Sequence, residues 1–293
     1  MRRREDRGQA LLLVLWAMFI MSFSIIGLIQ LLRVNIGTAS AMERVAIAKS
    51  LAFAGTTIGK QQDFPADGKV DHRKYPDGKV LDIVVVSENS KLNINSLLEV
   101  EDRETLRSLL RLWHLTDVEA DTVLDCLLDY VQPGNTRRLN GAKAEQYRRV
   151  GRKAPTGKPF RSIEEMTSVL NFDMVTRRKP EWRDYFTIYG SGKLDLMHAP
   201  SDLVKAVCRV GDSGVKALQR LGENGDLPKE TAMEAARVAM GMTEKEFGNL
   251  SGRVTMGGEV RRVRATGTFA QAQRTIEAIY RPDDKTFLEW KEW

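Results

Sequence analysis

Hydrophobic positions follow three different rhythms along the chain. From Ala10 to Leu32 no charged residue interrupts an apolar run of 23 residues. As a helix rising ~1.5 Å per residue, that run reaches ~35 Å, enough to cross a hydrocarbon core of ~30 Å with some tilt. Beyond Arg33 the pattern turns one-sided. Ile47, Leu51, Ala54 and Ile58 recur at helical spacing beside Ala41, Val45, Ala48 and Ala52, predicting an amphipathic continuation to about Gln62. Asp63 to Gly78 then carries Pro65, Gly68, Pro76 and Gly78, a loop signature, and Val80 to Val86 reads as a strand through Leu81, Ile83 and Val85.

Helical patterns return after Lys91. Ser96 with Glu99, Thr116 with Glu119, Ser162 with Glu165 and Thr243 with Glu246 each fit the Ser/Thr-x-x-Glu capping box. Two of the helical runs that follow such starts are Leu97 to Trp113 and Asp117 to Val131, the latter stopped by Pro133-Gly134. Strand patterns resume only near the end, at Arg253–Met256, Val260–Phe269, Thr275–Tyr280 and Phe287–Trp290, and read as an antiparallel meander. A strand near residue 80 and a sheet near 260, separated by roughly 150 helical residues, imply an α-helical domain inserted into an α/β domain. The expected fold class is therefore α+β.

Composition narrows the function classes. At 293 residues the chain exceeds one ordinary domain, and 42% hydrophobic with 29% charged residues argues against both wholesale disorder and a polytopic transporter. The net charge of +6 is too small to point to nucleic acid by itself. Arg2, Arg3, Arg4 and Arg7 outweigh Glu5 and Asp6 ahead of the apolar run, so the positive-inside rule places the N-terminus in the cytoplasm and the bulk outside. Cys126 and Cys208 are the only cysteines, lie on apolar helical patterns and lack any CxxC spacing, which favours buried free thiols over a bridge or a zinc site. His72, His114 and His198 have no ligand or triad spacing. Gly55-Thr-Thr-Ile-Gly59-Lys60 is one residue short between its glycines for a Walker A loop and sits in a helical pattern. No catalytic residues are assigned, and the chain is read as a non-enzyme.

A short basic leader ending in Gly8, an uncharged segment directly after it and an amphipathic continuation resemble the class III signal of type IV pilins and type II secretion pseudopilins. That resemblance implies cleavage by a prepilin peptidase between Gly8 and Gln9 and N-methylation of Gln9. Major pseudopilins carry Glu at the fifth mature position, where this chain has Leu13. A carboxylate in lipid costs about 2.5 kcal/mol or more unless paired, so a subunit with none ahead of it does better with an apolar residue. Leu13 thus suits a filament tip; the plainer reading is one more membrane-facing leucine.

Further matches follow in order: Lys91-Leu-Asn-Ile-Asn, Leu127-Leu-Asp-Tyr-Val, Arg138-Leu-Asn-Gly-Ala with Tyr147, Pro159-Phe-Arg-Ser-Ile-Glu-Glu-Met, Phe186 to Leu196, and the basic strands before Leu288-Glu-Trp. Together with the leader they resemble the type II secretion protein K family, the large minor pseudopilin whose pilin fold carries an inserted SAM-like region. The resemblance implies a leader at 1–8, a transmembrane and amphipathic helix at 9–62, and a discontinuous pseudopilin domain at 63–92 and 241–293. It also implies an inserted helical SAM-like domain at 93–190 and a second helical unit at 191–240. As function it implies capping of the pseudopilus tip and priming of its assembly for export of folded proteins. The implied partners are minor pseudopilins I and J, the major pseudopilin filament, prepilin peptidase and the inner membrane, with a single pass, the bulk periplasmic and no nucleic acid.

The family also implies calcium on an acidic loop, and here the pattern departs from it. Gln132, Gly134 and Asn135 replace an acidic run, and Lys143 stands where the family has Glu. Asp129 and Glu145 remain, but an ammonium repels a divalent ion, so no calcium is expected at 129–145 and no other cofactor is implied. An alternative function comes from Asp195 to Val215, which also resembles a helix-hairpin-helix of DNA-binding proteins and would suit a membrane-anchored DNA-uptake protein. Asp212 puts negative charge where a phosphate would dock on the hairpin.

Overall fold

The computed structural model describes residues 5–61, 63–223 and 229–293. Residues 1–4 of the expected leader, Gln62 at the expected helix end and residues 224–228 of the expected second helical unit lie outside the described residues. One helix, α1 (Glu5–Gly59), runs for 55 residues and joins the two apolar rhythms without a break. Its segment Leu12–Leu31 has no buried residue and is long and apolar enough to span a membrane. Its last three turns lie on a sheet, and the face they bury is made of small residues: Ala48, Ala52, Gly55, Thr56 and Gly59. The larger Ile47, Leu51 and Ile58 flank that seam half-buried, while Ala54, expected on the apolar face, is exposed.

The reason is closeness. A Cβ on Gly55 would come 2.7 Å from Leu81 Cδ1 and 2.9 Å from Ala265 Cβ, and one on Gly59 would come 2.8 Å from Val263 Cγ1. From the sheet side, a Cβ on Gly267 would come 2.2 Å from the Ala48 carbonyl oxygen. Backbone thus meets backbone, and Leu81, Ile83, Val85 and Val263 fill the space around the seam.

The sheet comprises β1 (Asp67–Lys74), β2 (Lys79–Ser87), β7 (Arg261–Phe269), β8 (Ala272–Arg281) and β9 (Thr286–Glu292), in the order β1-β2-β7-β8-β9 with every neighbour antiparallel. The expected meander is present as β7-β8-β9. Strand β1 lies inside the segment read as loop: as an edge strand of alternating charges, with only Val70 apolar, it shows no hydrophobic alternation.

Between β2 and β7 the chain leaves the sheet and returns. It forms β3 (Leu92–Asn93), α2 (Ile94–Glu99), α3 (Arg103–Leu112), α4 (Asp117–Val131), α5 (Ala144–Arg149), α6 (Asp173–Arg178), β4 (Phe186–Thr187), β5 (Leu194–Asp195), α7 (Ser201–Cys208), α8 (Asp212–Glu223), α9 (Lys229–Ala239), α10 (Glu244–Gly248) and β6 (Val254–Thr255). Buried residues from Leu92 to Val254 form one continuous core around Tyr147, Phe172 and Trp182, separate from the core under α1. Strand β6, expected to open the meander, instead pairs in parallel with β5, and β3 pairs in parallel with β4.

The capping boxes divide evenly. Thr116–Glu119 and Thr243–Glu246 form as expected. Ser96–Glu99 does not, because Asn93 is the true cap of α2 and accepts the Ser96 N–H at 3.2 Å. Ser162 makes no capping bond, and Glu165 instead accepts the Arg161 N–H at 2.9 Å ahead of a 3₁₀ segment. The expected single helix from Leu97 to Trp113 breaks at Glu101, where φ is 49°, and restarts from Asp102, whose carboxylate caps α3.

Candidate functional site

Three regions have the geometry to act. The first is α1. Gly8 and Gln9 fall in its first turns, and Leu13 is 71% exposed on its apolar half. Where α1 meets the sheet edge, Phe53 packs on Trp290 and Phe287 on Trp290, with ring centroids 6.1 and 5.5 Å apart. Phe53, Phe287 and the terminal Trp293 are each about half exposed, and Lys60 lies over the Phe287 ring at 4.4 Å. Trp113 and Trp182, by contrast, are buried in the insert's core.

The second region is the joint between sheet and insert, which sequence reasoning missed. Glu88, fully buried just after β2, accepts from Arg262 through Nε and Nη2 at 2.9 Å each, and from the Thr187 hydroxyl at 2.7 Å. Arg262 also donates to Glu277 at 2.6 Å, and Arg264 donates to the same carboxylate at 3.0 and 2.7 Å. Burial pushes the Glu88 carboxyl toward its neutral form, but the Arg262 hydrogen bonds and charge overcome this and hold it below the ordinary range. Asn89 completes the joint, accepting the Val260 N–H at 3.0 Å and donating to the Lys193 carbonyl at 3.2 Å. Arg262 and Arg264 alternating along one face of a strand, beside an isolated Glu at the end of another, was the available signal.

The third region is the loop after α4. The Asp129 carboxylate, fully buried, accepts the Arg138 N–H and its Nη1, both at 3.1 Å. Lys143, only 7% exposed, donates through Nζ to the carbonyls of Asp129 and Gln132 at 2.7 and 2.8 Å. Glu145 does not join Asp129; its carboxylate is paired with Arg149 on the exposed side of α5. Calcium takes six to eight oxygens including several carboxylates. The buried Asp125 also faces the loop, accepting the Asn140 N–H at 3.1 Å and pairing with Arg103 at 2.8 Å, so both carboxylates and the two carbonyls are engaged by the chain's own cations and the set does not fit the ion. No group of three or more His, Cys, Asp or Glu that could hold a metal occurs among the described residues.

The remaining candidates have structural surroundings. Asp212 opens α8 and pairs with Lys205 of α7 at 2.5 Å, while Arg209 pairs with Glu104, so both basic residues at the hairpin already face acids. Cys126 and Cys208 are free and buried, and burial raises their thiols to about 11 and about 12, out of the reactive range. His72 pairs with Asp82 on the edge of the sheet, His114 takes a left-handed turn after α3, and His198 binds the buried Asp195. Gly55 and Gly59 are points of close contact on the α1 seam rather than a phosphate loop.

Comparison with known proteins follows the same division. Residues 90–181 match the family described as type II secretion system (T2SS), protein K. No curated protein matches the chain. Among solved structures, a chain in the crystal structure of the GspK-GspI-GspJ complex from the enterotoxigenic Escherichia coli type 2 secretion system is similar in fold. Its TM-score is 0.66 at 13% identity, covering 89% of this chain and 98% of that one. The resemblance drawn from the sequence is borne out: residues 90–181 match the type II secretion system protein K family, and the α+β fold is shared with the solved chain along most of its length.

Proposed function

We propose that this chain is a minor pseudopilin that caps the tip of a type II secretion pseudopilus, primes its assembly and binds minor pseudopilins I and J. The observation that carries this is α1 itself. One rigid helix has an apolar half with nothing packed on it, Leu12–Leu31, and continues as the spine of a sheet domain that bears a bulky helical insert. Such a helix is a handle: its exposed half sits in the inner membrane as a single pass and then packs among like helices as the filament grows. The four cytoplasmic arginines of the leader orient it with the bulk periplasmic. Processing between Gly8 and Gln9, with methylation of Gln9, frees that handle. The aliphatic Leu13 then needs no partner amine ahead of it, which suits the first subunit in a filament. The insert, hung beyond one end of the sheet, would obstruct a subunit stacked above, so one copy per filament is expected.

The solved GspK-GspI-GspJ complex supports I and J as the partners, and the half-exposed Phe53, Phe287 and Trp290 beside α1 supply an apolar face where a partner's helix can bury. Co-expression with the prepilin peptidase tests the reading directly. Mass spectrometry of the mature protein is expected to find a chain starting at Gln9 and heavier by one methyl group. An uncut Met1, or a cut beyond Leu32, would overturn it.

A further inference from the structure

The loop after α4 holds an unusual arrangement of charge. In a helix the Asp129 carbonyl would accept from the N–H four residues on, but that residue is Pro133, which has none. The Gln132 carbonyl has likewise left the helical ladder, since Gln132 is the C-cap of α4. Both oxygens turn to one atom, Lys143 Nζ, at 2.7 and 2.8 Å. Beside them, the buried Asp129 carboxylate pairs with Arg138 at 3.1 Å, and Gly141 closes the space so tightly that a Cβ there would lie 2.0 Å from Asp129 Oδ2. Burial lowers the Lys143 pKa while the Asp129 charge works to restore it, as expected for an ammonium drawn inside by its oxygen partners.

We propose that Lys143 is a resident cation: its ammonium occupies the place that a divalent ion would hold on this oxygen set, and closes the 132–143 loop whatever the calcium concentration around it. Two carbonyls at a helix C-terminus next to a buried carboxylate are a cation site by charge and by dipole. An ammonium tethered from the far side of the loop fills that site and staples the loop in the same bond. Removing it takes the donor from the Asp129 and Gln132 carbonyls, the first of them buried, which is costly. Replacing it by a carboxylate restores the acidic side chain that calcium needs.

The test uses the full chain in detergent, with calcium chloride alone or EDTA as the only variable. For the natural sequence the unfolding midpoint is expected to be the same in both. Lys143→Met is expected to lower the midpoint by several degrees in both, and to speed tryptic cleavage after Arg137 and Arg138. Lys143→Glu is expected to be low in EDTA and to regain at least part of the loss in calcium. A natural-sequence midpoint that rises in calcium would overturn the proposal. So would a Lys143→Met protein with an unchanged midpoint and unchanged cleavage, or a Lys143→Glu protein that folds yet ignores calcium. Should Lys143→Glu fail to fold in either condition, the natural-sequence and Lys143→Met measurements decide.

Discussion

His198 and Asp195 meet where the insert closes on itself. Asp195 is buried at the end of β5; its Oδ1 accepts the N–H groups of Met197 and Gly257 at 3.1 and 3.0 Å, and its Oδ2 faces His198 Nδ1 at 2.8 Å. The hydrogen bond to Asp195 raises the imidazole above its ordinary 6.5, with burial opposing. For Asp195 burial acts upward, but the His198 bond and charge win and hold the carboxyl below 3.8. The signs then fix the pH window. A raised histidine contributes stability that is complete below 6.5 and is lost as pH climbs through its folded value; a lowered carboxylate contributes above 3.8 and loses it on further acidification. The pair therefore stabilises most between those limits. His198→Gln is expected to lower the unfolding midpoint clearly at about pH 6 and by less as the pH rises to about 9, because the proton held by the raised imidazole is progressively lost. Midpoints of both proteins at the two pH values check it, and an equal drop at both would show a role in packing alone.

At the scale of elements, the seam between α1 and the sheet explains what could be read in advance and what could not. The long apolar run and its amphipathic continuation announced α1, and alternation announced β2, β7 and β8, because in each case one face is dry and the other wet. The spacing of Ile47, Leu51, Ala54 and Ile58 beside Ala41, Val45, Ala48 and Ala52 predicts the amphipathic half without saying which of these apolar positions lies deepest. The buried stripe is Ala48 and Ala52 of that set, joined by Gly55 and Gly59, since close approach to a sheet selects against bulk, a constraint set by the sheet and invisible on the helix alone. The same holds for β1, whose polar sequence pairs only because β2 offers an edge, and for α2, where Asn93 outcompeted Ser96 as the cap. The joint of Glu88 with Arg262 leaves a trace in the alternating arginines and the isolated Glu, but with 174 residues between them only the pairing of β2 with β7 makes them partners. The seam also carries a prediction. Gly55→Ala gains up to about 1 kcal/mol of helix propensity. But its new methyl group lands 2.9 Å from Ala265 Cβ, which is fixed to the backbone and cannot swing aside. Overpacking costs about 1–3 kcal/mol, so a net loss of about 1 kcal/mol is expected in thermal unfolding. Ala54→Leu, one residue away on the exposed side, is expected to stay within about 0.5 kcal/mol of the natural protein.

For the whole molecule, the register between β2 and β7 matters most. These neighbours pair without interruption from Lys79 opposite Phe269 to Ser87 opposite Arg261, so the two ends from which the insert departs are already cross-strand partners. The insert is thus a domain grown from the tip of a hairpin, and its core is distinct from the one beneath α1. Replacing residues 88–260 by a two-residue Asn-Gly turn asks the chain only to close a hairpin whose strands are in place. Deletion removes Glu88, but Arg262 keeps Glu277, so the shortened sheet is not left with an uncompensated buried charge. The shortened chain is expected to stay folded, with a strand-rich far-UV circular dichroism spectrum beside the α1 signal and a cooperative thermal transition. It is expected to enter the membrane through the unchanged α1. If the insert is what confines this subunit to the tip, copies of the shortened chain should also appear along the pseudopilus shaft, whereas the natural chain is expected at one end only. Immunogold labelling of sheared filaments distinguishes the two, and labelling still confined to one end would assign tip placement to Leu13 and the handle rather than to the bulk carried above it.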